Sequence, residues 1–393
     1  MNKRSVRDLD VRDKRVFVRV DFNVPVKDGQ VTDDTRIQRA LPTIRYLLER
    51  GARPALISHL GRPKGEPDPK YAMDPVAKKL EELLGVPVRK LDTAVGPEVE
   101  EALNDLDGEG VVLLENSRFY PGETENDPEF AEQLASPFDL YVDDAFGAAH
   151  RAHATTVGVA ELLPAAAGLL LEEEIDNLDK VLRTPERPFV AILGGAKVSD
   201  KVGVIESLLE VADTLLVGGA MCFTFFKARG YEVGRSLVED EYLEEAKRLM
   251  DEAGERLVLP IDVVVAEKME EDAQARVVRV EEMPEDMMGL DIGPETVEEF
   301  RGYIADAKTI FWNGPMGVFE IDAFAKGTEG VARAVAESEA ISIVGGGDSV
   351  AAVRKLGLED EMGFISTGGG ASLEYVEGKE LPGVVVLPNK EGV

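Results

Sequence analysis

Five short runs of aliphatic and β-branched residues in the second half of the chain each end at a glycine cluster and lead into a helical pattern. They are FVAILGGAK (189–197), TLLVGGAM (214–221), TIFWNGPMG (309–317), AISIVGGGD (340–348) and GFISTGGGA (363–371). Apolar runs without alternation are typical of strands buried on both faces, as in parallel sheets covered by helices. Glycine at the carboxyl end of such strands lets backbone N–H groups approach an anion. The pattern predicts an α/β fold with a nucleotide-binding edge.

The first half has the same strand rhythm, but polar and basic residues follow its strands. The strand-like runs lie within 15–25, 53–65, 110–123 and 138–154. The residues after them are Asp21, Asn23, His59, Arg62, Arg118, His150 and Arg151. Because guanidinium and imidazole groups bind carboxylate and phosphate oxygens well, converging loops of this kind predict a small, highly anionic substrate.

Composition limits the class of protein. The 393 residues, of which 44% are hydrophobic, can form two domains with separate cores. Cys222 is the only cysteine and there are three histidines, so a disulfide framework or a zinc hydrolase is not expected. The chain has no long apolar stretch and no leader pattern, which predicts a cytoplasmic protein.

The chain is strongly acidic, with a formal net charge of -32. Such an excess disfavours nucleic acids and anionic membranes as partners, because both are bound through lysine and arginine. We expect much of the acid on the solvated faces of helices in 240–257 and 294–303. One hypothesis is a halophilic, archaeal source, in whose cytosol salt screens the self-repulsion; the alternative is an acidic mesophilic enzyme.

The strand order predicts two Rossmann-like domains, each a parallel sheet with helices on both faces, joined by a linker helix and a hinge. The expected boundaries are an N-terminal domain at 1–168, a linker helix at 169–183, a C-terminal domain at 184–375, and a tail at 376–393 that returns to the first domain. The segment DLDGEG (105–110) imitates the start of a calcium loop but is interpreted as a turn. The sequence has no GxxxxGK[ST] motif and no GxGxxG after the first strand.

Eight blocks in this order resemble the phosphoglycerate kinase family across nearly the whole chain. They are VRVDFNVP (18–25), ISHLGRPKG (57–65), LLENSRF (113–119), AHRAHA (149–154), LGGAKVSDK (193–201), GPMGVFE (314–320), GGGDS (345–349) and STGGGASLE (366–374). The resemblance implies reversible, Mg²⁺-dependent phosphoryl transfer between ATP and the carboxylate of 3-phosphoglycerate, giving ADP and 1,3-bisphosphoglycerate. The resemblance also implies that the protein is a monomer and that its two domains close about a hinge.

The resemblance also implies a substrate site in the first domain. Its residues would be Asp21, Asn23, Arg36, His59, Arg62, Arg118, His150 and Arg151. Arg36 would lie nearest the reacting carboxylate. Spacing alone, without the resemblance, favours an i,i+3 pair of Arg36 with Asp33 on a helix face. Surface salt bridges are the alternative for the other arginines, and His153 is interpreted as structural.

In the second domain the resemblance makes Lys197 the cation that follows the migrating phosphoryl group and Lys201 a ligand of the nucleotide phosphates. We expect the two lysines one helical turn apart on a single helix face. The alternative is that Lys201 caps a solvated helix face. Asp348 would hold Mg²⁺, or would act as a helix N-cap.

The other implied nucleotide contacts are Gly218, Gly219, Gly289, Asn313, Glu320, Gly346, Gly347 and Ser349. Glycines 368–370 would open a helix, and Gly369 and Gly370 would stabilise charge during transfer through free N–H groups. The chain departs from the family pattern at Ser349, usually threonine, and at Ala220, often a third glycine. Two other functions stay open: another carboxylate phosphotransferase, and a catalytically silent nucleotide-binding protein on the same fold.

Overall fold

The computed structural model describes residues 2–106 and 109–390. The chain divides into two compact units: the first extends to Asp176 and resumes at Glu380, and the second is Asn177–Lys379. The turn predicted at 105–110 includes two residues outside the described ranges, and the predicted tail includes three.

Within its described residues, the first unit is built on a six-stranded parallel sheet of order β5-β6-β4-β1-β7-β8, beside a β2–β3 hairpin. Its strands are β1 (Arg15–Val20), β2 (Val26–Lys27), β3 (Gln30–Val31), β4 (Arg53–Ile57), β5 (Val88–Lys90), β6 (Val111–Leu113), β7 (Leu140–Asp144) and β8 (Ala165–Ala167). The central strands are buried at consecutive positions, so both faces of the sheet are covered.

The first unit's helices are α1 (Thr35–Glu49), α2 (Asp74–Leu84), α3 (Pro97–Asn104), α4 (Pro121–Glu125), α5 (Pro128–Ala135), α6 (Val159–Leu162) and the first part of α7 (Leu169–Leu182). Helix α1 has one buried apolar face, which includes Ile37, Leu41 and Ile44. Gly51 then takes a left-handed φ of 72°, which ends the helical path. Helix α7 continues across the boundary between the units.

Within its described residues, the second unit has a six-stranded parallel sheet of order β11-β10-β9-β15-β16-β17. The strands of this unit are β9 (Phe189–Leu193), β10 (Thr214–Val217), β11 (Leu257–Val258), β12 (Asp262–Ala266), β13 (Arg276–Arg279), β14 (Met288–Ile292), β15 (Thr309–Asn313), β16 (Ile341–Gly345) and β17 (Phe364–Ile365). The predicted α/β class with two parallel sheets is confirmed.

A small antiparallel sheet of order β13-β12-β14 was not predicted. Strand β13 reads RVVR and is mostly exposed, so its sequence has neither the buried run nor the glycine stop of the parallel strands. Strands β12 and β14 pair although about twenty residues, including the edge strand β13, lie between them in the sequence. Such nonlocal pairing leaves little local signal in the sequence. This sheet places Gly289 and its neighbours beside the parallel sheet's glycine turns.

The second unit's helices are α8 (Val202–Val211), α9 (Cys222–Ala228), α10 (Leu243–Ala253), α11 (Pro294–Asp306), α12 (Lys326–Glu337), α13 (Gly347–Lys355) and α14 (Gly370–Val376). Trp312 on β15 is fully buried in the core between the sheet and α11 and α12. Its indole N–H donates to the carbonyl of Gly314 at 2.8 Å, which satisfies the ring's polar atom.

Of the described tail, residues 380–390 belong to the first unit, whereas residues 376–379 belong to the second. The first of these ranges contains α15 (Pro382–Val385), and Gly383 donates its N–H to the carbonyl of Ala149 at 2.9 Å. Asn389 forms an isolated antiparallel bridge with Lys3. Among the described residues, the structure contains no helix with the length and apolar character that a membrane crossing requires.

Candidate active site

The residues predicted to bind the anionic substrate follow four neighbouring strands of the first unit's sheet. Asp21 comes directly after β1, His59 after β4, Arg118 in a turn after β6, and His150 in a turn after β7. These strands lie side by side in the order β6-β4-β1-β7 and are parallel. Their carboxyl ends therefore share one edge, where open α/β sheets bind ligands. We use the name basic cluster for Arg19 and the predicted substrate residues, which are Asp21, Asn23, Arg36, His59, Arg62, Arg118, His150 and Arg151.

Arg36 reaches this edge from the first turn of α1. Its guanidinium donates to Asp21 Oδ2 at 2.6 Å, so Asp21 is the partner that orients it. Asp33 instead accepts the N–H of Thr35 at 2.9 Å, at the start of the helix. Burial raises the pKa of Asp21, but Arg36, His59 and Arg19 outweigh burial and hold it below its ordinary value. The carboxylate is therefore ionised and fixes Arg36.

Sequence reasoning missed Arg19, a fully buried arginine on β1. Its Nε donates to Thr155 Oγ1 at 2.8 Å, and another guanidinium nitrogen donates to the carbonyl of Val20. Its third nitrogen lies 3.0 Å from His59 Nδ1. The signal was an arginine inside the apolar run RVFVRV, since a buried charge needs partners.

His59 and Arg118 lie in the positive field of this cluster. Burial lowers the pKa of His59 well below its ordinary value; Asp21 opposes this, while Arg19, Arg118 and Arg36 reinforce it. Burial also lowers the pKa of Arg118, with contributions from Arg19 and Arg151. Like charges that depress one another's pKa are stabilised by an anion between them. The cluster is therefore suited to a polyanion.

Arg118 is half-buried and donates to the carbonyl of Gly61 at 2.8 Å, so the surface salt-bridge interpretation is wrong for it. Asn23 joins the same loops, because its Oδ1 accepts the N–H of Gly61 at 2.8 Å. Arg62 is exposed. These contacts join the loops after β1, β4 and β6 at one edge.

After β7, Arg151 is exposed and its Nε donates to His150 Nε2 at 3.1 Å. His153 is buried, and burial together with Arg19 and Arg118 lowers its pKa to about 4. It is therefore neutral near pH 7. Its backbone N–H donates to Thr156 Oγ1 at 3.0 Å, which is consistent with a structural role.

The second unit contains a cavity of about 510 Å³ at the glycine turns of its sheet. Of the predicted residues, Gly219, Gly289, Glu320 and Asp348 line it. Gly218 lies against Met316, another lining residue. Its size is typical of a small-molecule site. We call this space the nucleotide cavity after the ligand that the sequence predicts for it.

One wall of the nucleotide cavity is apolar and was largely missed. It is formed by Phe223, Met269, Met288, Leu290 and Val318. Four of them come from α9 and from the antiparallel sheet or its loops, whose position the sequence did not predict. The lining also includes the polar residues Glu320 and Asp348. Apolar and polar lining together suit a ligand with a planar ring at one end and charges at the other.

Two predicted glycines are required by close packing. A Cβ at Gly289 would overlap the ring of Phe223. Gly219 has a left-handed φ of 69°, and a Cβ there would overlap the backbone of Gly195. Side chains at these positions would fill or distort the nucleotide cavity.

The lysine loop, residues 194–201, differs from the predicted helix. Helix α8 begins only at Val202, so Lys197 lies in the loop and Lys201 is the residue before the helix. The helical-turn prediction was wrong because the backbone N–H groups of Gly194 and Gly195 donate to the carbonyls of Asn313 and Pro315 at 2.9 and 3.1 Å. Gly195 also has a φ of 115°, so the chain forms a loop past the strand instead of a helix.

Lys201 is buried rather than solvated, so the alternative of a solvated cap is wrong. Its Nζ donates to Asn313 Oδ1. Burial lowers the pKa of Lys201, and Asp200, Glu377 and Asp348 oppose the shift. Lys197 is exposed, and among the described residues no carboxylate forms an ion pair with it.

Asn313, at the end of β15, has a buried Nδ2 with no hydrogen-bond partner among the described residues. A Cβ at Gly346 would lie 2.7 Å from this nitrogen, so only glycine leaves it uncovered. Buried amide groups are normally paired, and an unpaired donor beside a lysine is an expected feature of an anion site. The pair of donors supports a phosphate position.

Asp348 is exposed in the first turn of α13, and Gly346 is the N-cap of that helix. The N-cap interpretation of Asp348 is therefore wrong, because its side chain makes no capping bond. Ser349 is buried, and its Oγ accepts the N–H of Gly314 at 2.6 Å. Gly347 begins the helix, and the space beside its Cβ position is open.

The glycines at 368–370 lie at the start of a helix, as Gly346 and Gly347 do at the start of α13. Helix α14 begins at Gly370, with Gly369 as its N-cap at a φ of 54°. The N–H of Gly368 already donates to Ser366 Oγ at 3.1 Å. The space beside the Cβ positions of Gly369 and Gly370 is open. The helix therefore starts later than predicted, and its first N–H groups begin at those two residues.

Residues 6–379 match the family model described as phosphoglycerate kinase. The chain is 79% identical over 393 residues to the phosphoglycerate kinase of Rubrobacter xylanophilus, covering 100% of both chains. It is 58% identical to that of Moorella thermoacetica, covering 99% of this chain and 100% of the relative. Both relatives are bacterial and give no support to the expected archaeal, halophilic source.

Solved structures agree with the sequence relatives. The phosphoglycerate kinase structure from Coxiella burnetii is 44% identical, with a TM-score of 0.87 over 98% of both chains. The one from Pyrococcus horikoshii is 36% identical, with a TM-score of 0.86 over 98% of both. The order of sequence blocks, the two parallel sheets and these matches agree along nearly the whole chain. The chain belongs to the phosphoglycerate kinase family.

Proposed function

We propose that this protein catalyses reversible phosphoryl transfer between MgATP and the carboxylate of 3-phosphoglycerate, giving ADP and 1,3-bisphosphoglycerate. The observation that carries the proposal is the nucleotide cavity, whose lining combines an apolar wall with Asp348 and with Gly195, the residue whose Cβ position lies 3.9 Å from the side chain of Lys201. Membership of the phosphoglycerate kinase family supports this reaction, and the basic cluster is a suitable site for the second, anionic substrate.

We assign 3-phosphoglycerate to the basic cluster of the first unit. Arg36, held by Asp21, would neutralise the reacting carboxylate, while Arg62, Arg118 and Arg151 would hold the distal phosphate. Asn23, His59 and His150 would complete the contacts, with His59 acting as a neutral hydrogen-bonding group. Guanidinium groups suit this substrate because they bind carboxylate and phosphate through paired N–H donors.

We assign the nucleotide to the second unit. The base and ribose would lie between Gly219, Gly289 and Glu320, with Glu320 accepting from the ribose hydroxyls. Lys201 and Asn313 would contact the phosphates, together with N–H groups near Gly346 and Gly347. Lys197, which is exposed and has no ion-pair partner among the described residues, would follow the transferring group.

The chemistry needs little from acid–base groups. A carboxylate nucleophile is ionised near pH 7, since its reference pKa is about 4, and it needs no general base. The chain's residues act by aligning the reactants, excluding water and placing positive charge over the phosphoryl oxygens. Arg36 would do this from the substrate side, and Lys197 with Gly369 and Gly370 from the nucleotide side.

Asp348 fits the metal of the nucleotide. Its carboxylate is exposed at the rim of the cavity and has no hydrogen-bond partner among the described residues. No group of three or more His, Cys, Asp or Glu side chains there forms an all-protein metal site. One carboxylate plus phosphates and water is a usual Mg²⁺ environment, and the ion would offset negative charge on the phosphates.

Transfer requires reacting atoms about 3 to 3.5 Å apart, and we propose hinge closure as the way to achieve this. The hinge elements would be α7 and the segment from 376 onward. Small-angle scattering with and without both substrates tests this, and identical profiles would count against it. We also propose that the enzyme is a cytoplasmic monomer.

The acid excess supports one further expectation, that stability rises with salt. With a net charge of -32, screening should relieve self-repulsion within the folded chain. Thermal unfolding followed by circular dichroism from dilute buffer to multimolar KCl tests it. A melting temperature that does not rise with KCl would reject salt adaptation.

A coupled assay of ADP formation from 3-phosphoglycerate and MgATP tests the proposed function. Lys197→Ala should lower kcat by roughly 10³-fold or more, by analogy with transition-state arginines. Lys247→Ala, which removes an exposed lysine from α10, is the matched control and should leave kcat unchanged. A folded wild-type protein with no turnover would favour a silent nucleotide-binding protein instead.

A further inference from the structure

Glu239 lies outside every contact assigned above, yet it bonds to the centre of the lysine loop. Its Oε1 accepts the hydroxyl of Ser199 at 2.6 Å, and its Oε2 accepts the backbone N–H of Ser199 at 3.0 Å. Ser199 lies two residues from both Lys197 and Lys201. One carboxylate thus fixes the loop between the two lysines.

The rest of the loop is held at its ends and not at Lys197. Gly194 and Gly195 bond to the backbone beside β15, and Lys201 bonds to Asn313. Lys197 itself is exposed and has no ion-pair partner among the described residues. The buried side chain of Val198 and the bonds to Glu239 are therefore the contacts nearest to it.

Glu239 is itself fixed from the nucleotide cavity. Its backbone N–H donates to Thr224 Oγ1 at 3.1 Å, and Thr224 is buried on α9. The same helix contributes Cys222 and Phe223 to the cavity lining. Hydrogen bonds through Thr224, Glu239 and Ser199 therefore join α9, which carries two of the cavity-lining residues, to the lysine loop.

The carboxylate is ionised in this setting. Burial raises the pKa of Glu239, but the bonds from Ser199 and Val198, with the charge of Lys197, hold it below its ordinary value. Its oxygens already accept these N–H and O–H groups. Lys197 therefore feels the charge of Glu239 without being bound by it, which leaves its ammonium group available to a phosphoryl group.

We infer that Glu239 is a positioning residue for phosphoryl transfer, which holds Lys197 in place by bonding both donors of Ser199. The inference rests on the proposed function, because it takes Lys197 as the cation over the transferring group. Glu239 touches neither substrate and acts only through the loop. Because Lys201 has a separate anchor in Asn313, nucleotide affinity should depend little on Glu239.

Three variants separate position from charge. Glu239→Ala removes both acceptors, and kcat should fall roughly 10- to 100-fold, since misplacing a catalytic group by about 1 Å costs up to about 10². Glu239→Gln can still accept from the N–H and donate to the hydroxyl of Ser199, so it should restore kcat to within about threefold of wild type. Ser199→Ala removes one of the two bonds and should give an intermediate kcat.

The measurement that tests a positioning role is whether kcat falls while the KM for MgATP stays unchanged. In Glu239→Ala the KM for MgATP should stay within about threefold of wild type, because Lys201 keeps its own anchor. A merely structural loosening of the unit would raise this KM and lower the melting temperature. Glu241→Ala, an exposed glutamate two residues away, is the matched control and should match wild type.

The outcomes separate the two proposals. An inactive wild type would reject the proposed function itself. An active wild type with an equally active Glu239→Ala would overturn the positioning role alone. Glu239→Gln as impaired as Glu239→Ala would also overturn it, because charge rather than loop position would then matter. If Glu239→Ala does not fold, Ser199→Ala decides: a kcat equal to wild type overturns the inference, and a reduced kcat at unchanged KM supports it.

Discussion

The basic cluster and the nucleotide cavity occupy the same place on two similar sheets, at the carboxyl ends of parallel strands, but they are built by opposite means. The cluster uses buried and half-buried charges that orient one another, as Asp21 orients Arg36 and Arg19 contacts His59. The cavity uses missing side chains and an apolar wall, as where Gly289 packs on Phe223. One site is selective through charge, and the other through shape.

Among the variants that distinguish the basic cluster from the nucleotide cavity, we expect the largest loss of activity from a change at Arg36. Arg36→Ala removes the guanidinium nearest the reacting carboxylate, and we expect kcat to fall roughly 10³-fold, as for other transition-state arginines. Arg62→Ala removes an exposed arginine of the same cluster and should raise the KM for 3-phosphoglycerate about tenfold, the value of one charge-assisted bond. Steady-state kinetics in both substrates measures this. Equal losses from the two variants would contradict the assigned order within the cluster.

A shape change should impair the cavity while leaving the cluster intact. In Gly289→Ala the added methyl overlaps the ring of Phe223, so the ring must move into the space assigned to the base. We expect the KM for MgATP to rise roughly tenfold, a loss of about 1.4 kcal/mol of binding. Gly302→Ala, on α11 with open space beside its Cβ, is the control. An unchanged KM in Gly289→Ala would show that the base lies elsewhere.

The sequence predicted the parallel sheets because buried runs that end in glycine have few other structural solutions. It predicted the cluster through basic residues at strand ends, yet missed Arg19, which lies inside a strand and bonds to Thr155, distant in sequence. The apolar wall was missed because Met269 and Met288 come together only when β12 and β14 pair. Local patterns gave the elements, and contacts distant in sequence completed each site.

The smallest effect concerns acid stability of the first unit. Burial lowers the pKa of His153 to about 4, so its contribution to stability is present above its ordinary pKa of 6.5 and is lost as the pH falls toward 4. At about 1.4 kcal/mol per pH unit, the loss between pH 6.5 and pH 4 is at most about 3.5 kcal/mol. His153→Asn should flatten this decline.

Urea unfolding followed by far-UV circular dichroism at pH 7 and pH 4.5 measures the effect. Between pH 7 and pH 4.5 the wild type should lose more stability than the variant, so the variant gains stability relative to wild type. A parallel decline in the two proteins would mean that His153 does not carry this part of the acid sensitivity. His153→Asn should also retain the KM for MgATP, because that ligand is assigned to the second unit.

The most direct test of this division is calorimetric binding of 3-phosphoglycerate and of ADP to wild type, Arg118→Ala and Gly289→Ala. The account predicts that Arg118→Ala weakens 3-phosphoglycerate binding at least about tenfold, as expected for a lost charge-assisted bond, and leaves ADP binding unchanged. Gly289→Ala should do the reverse. If either variant weakened both ligands equally, or if the two effects were exchanged, the assignment of one substrate to each unit would be wrong.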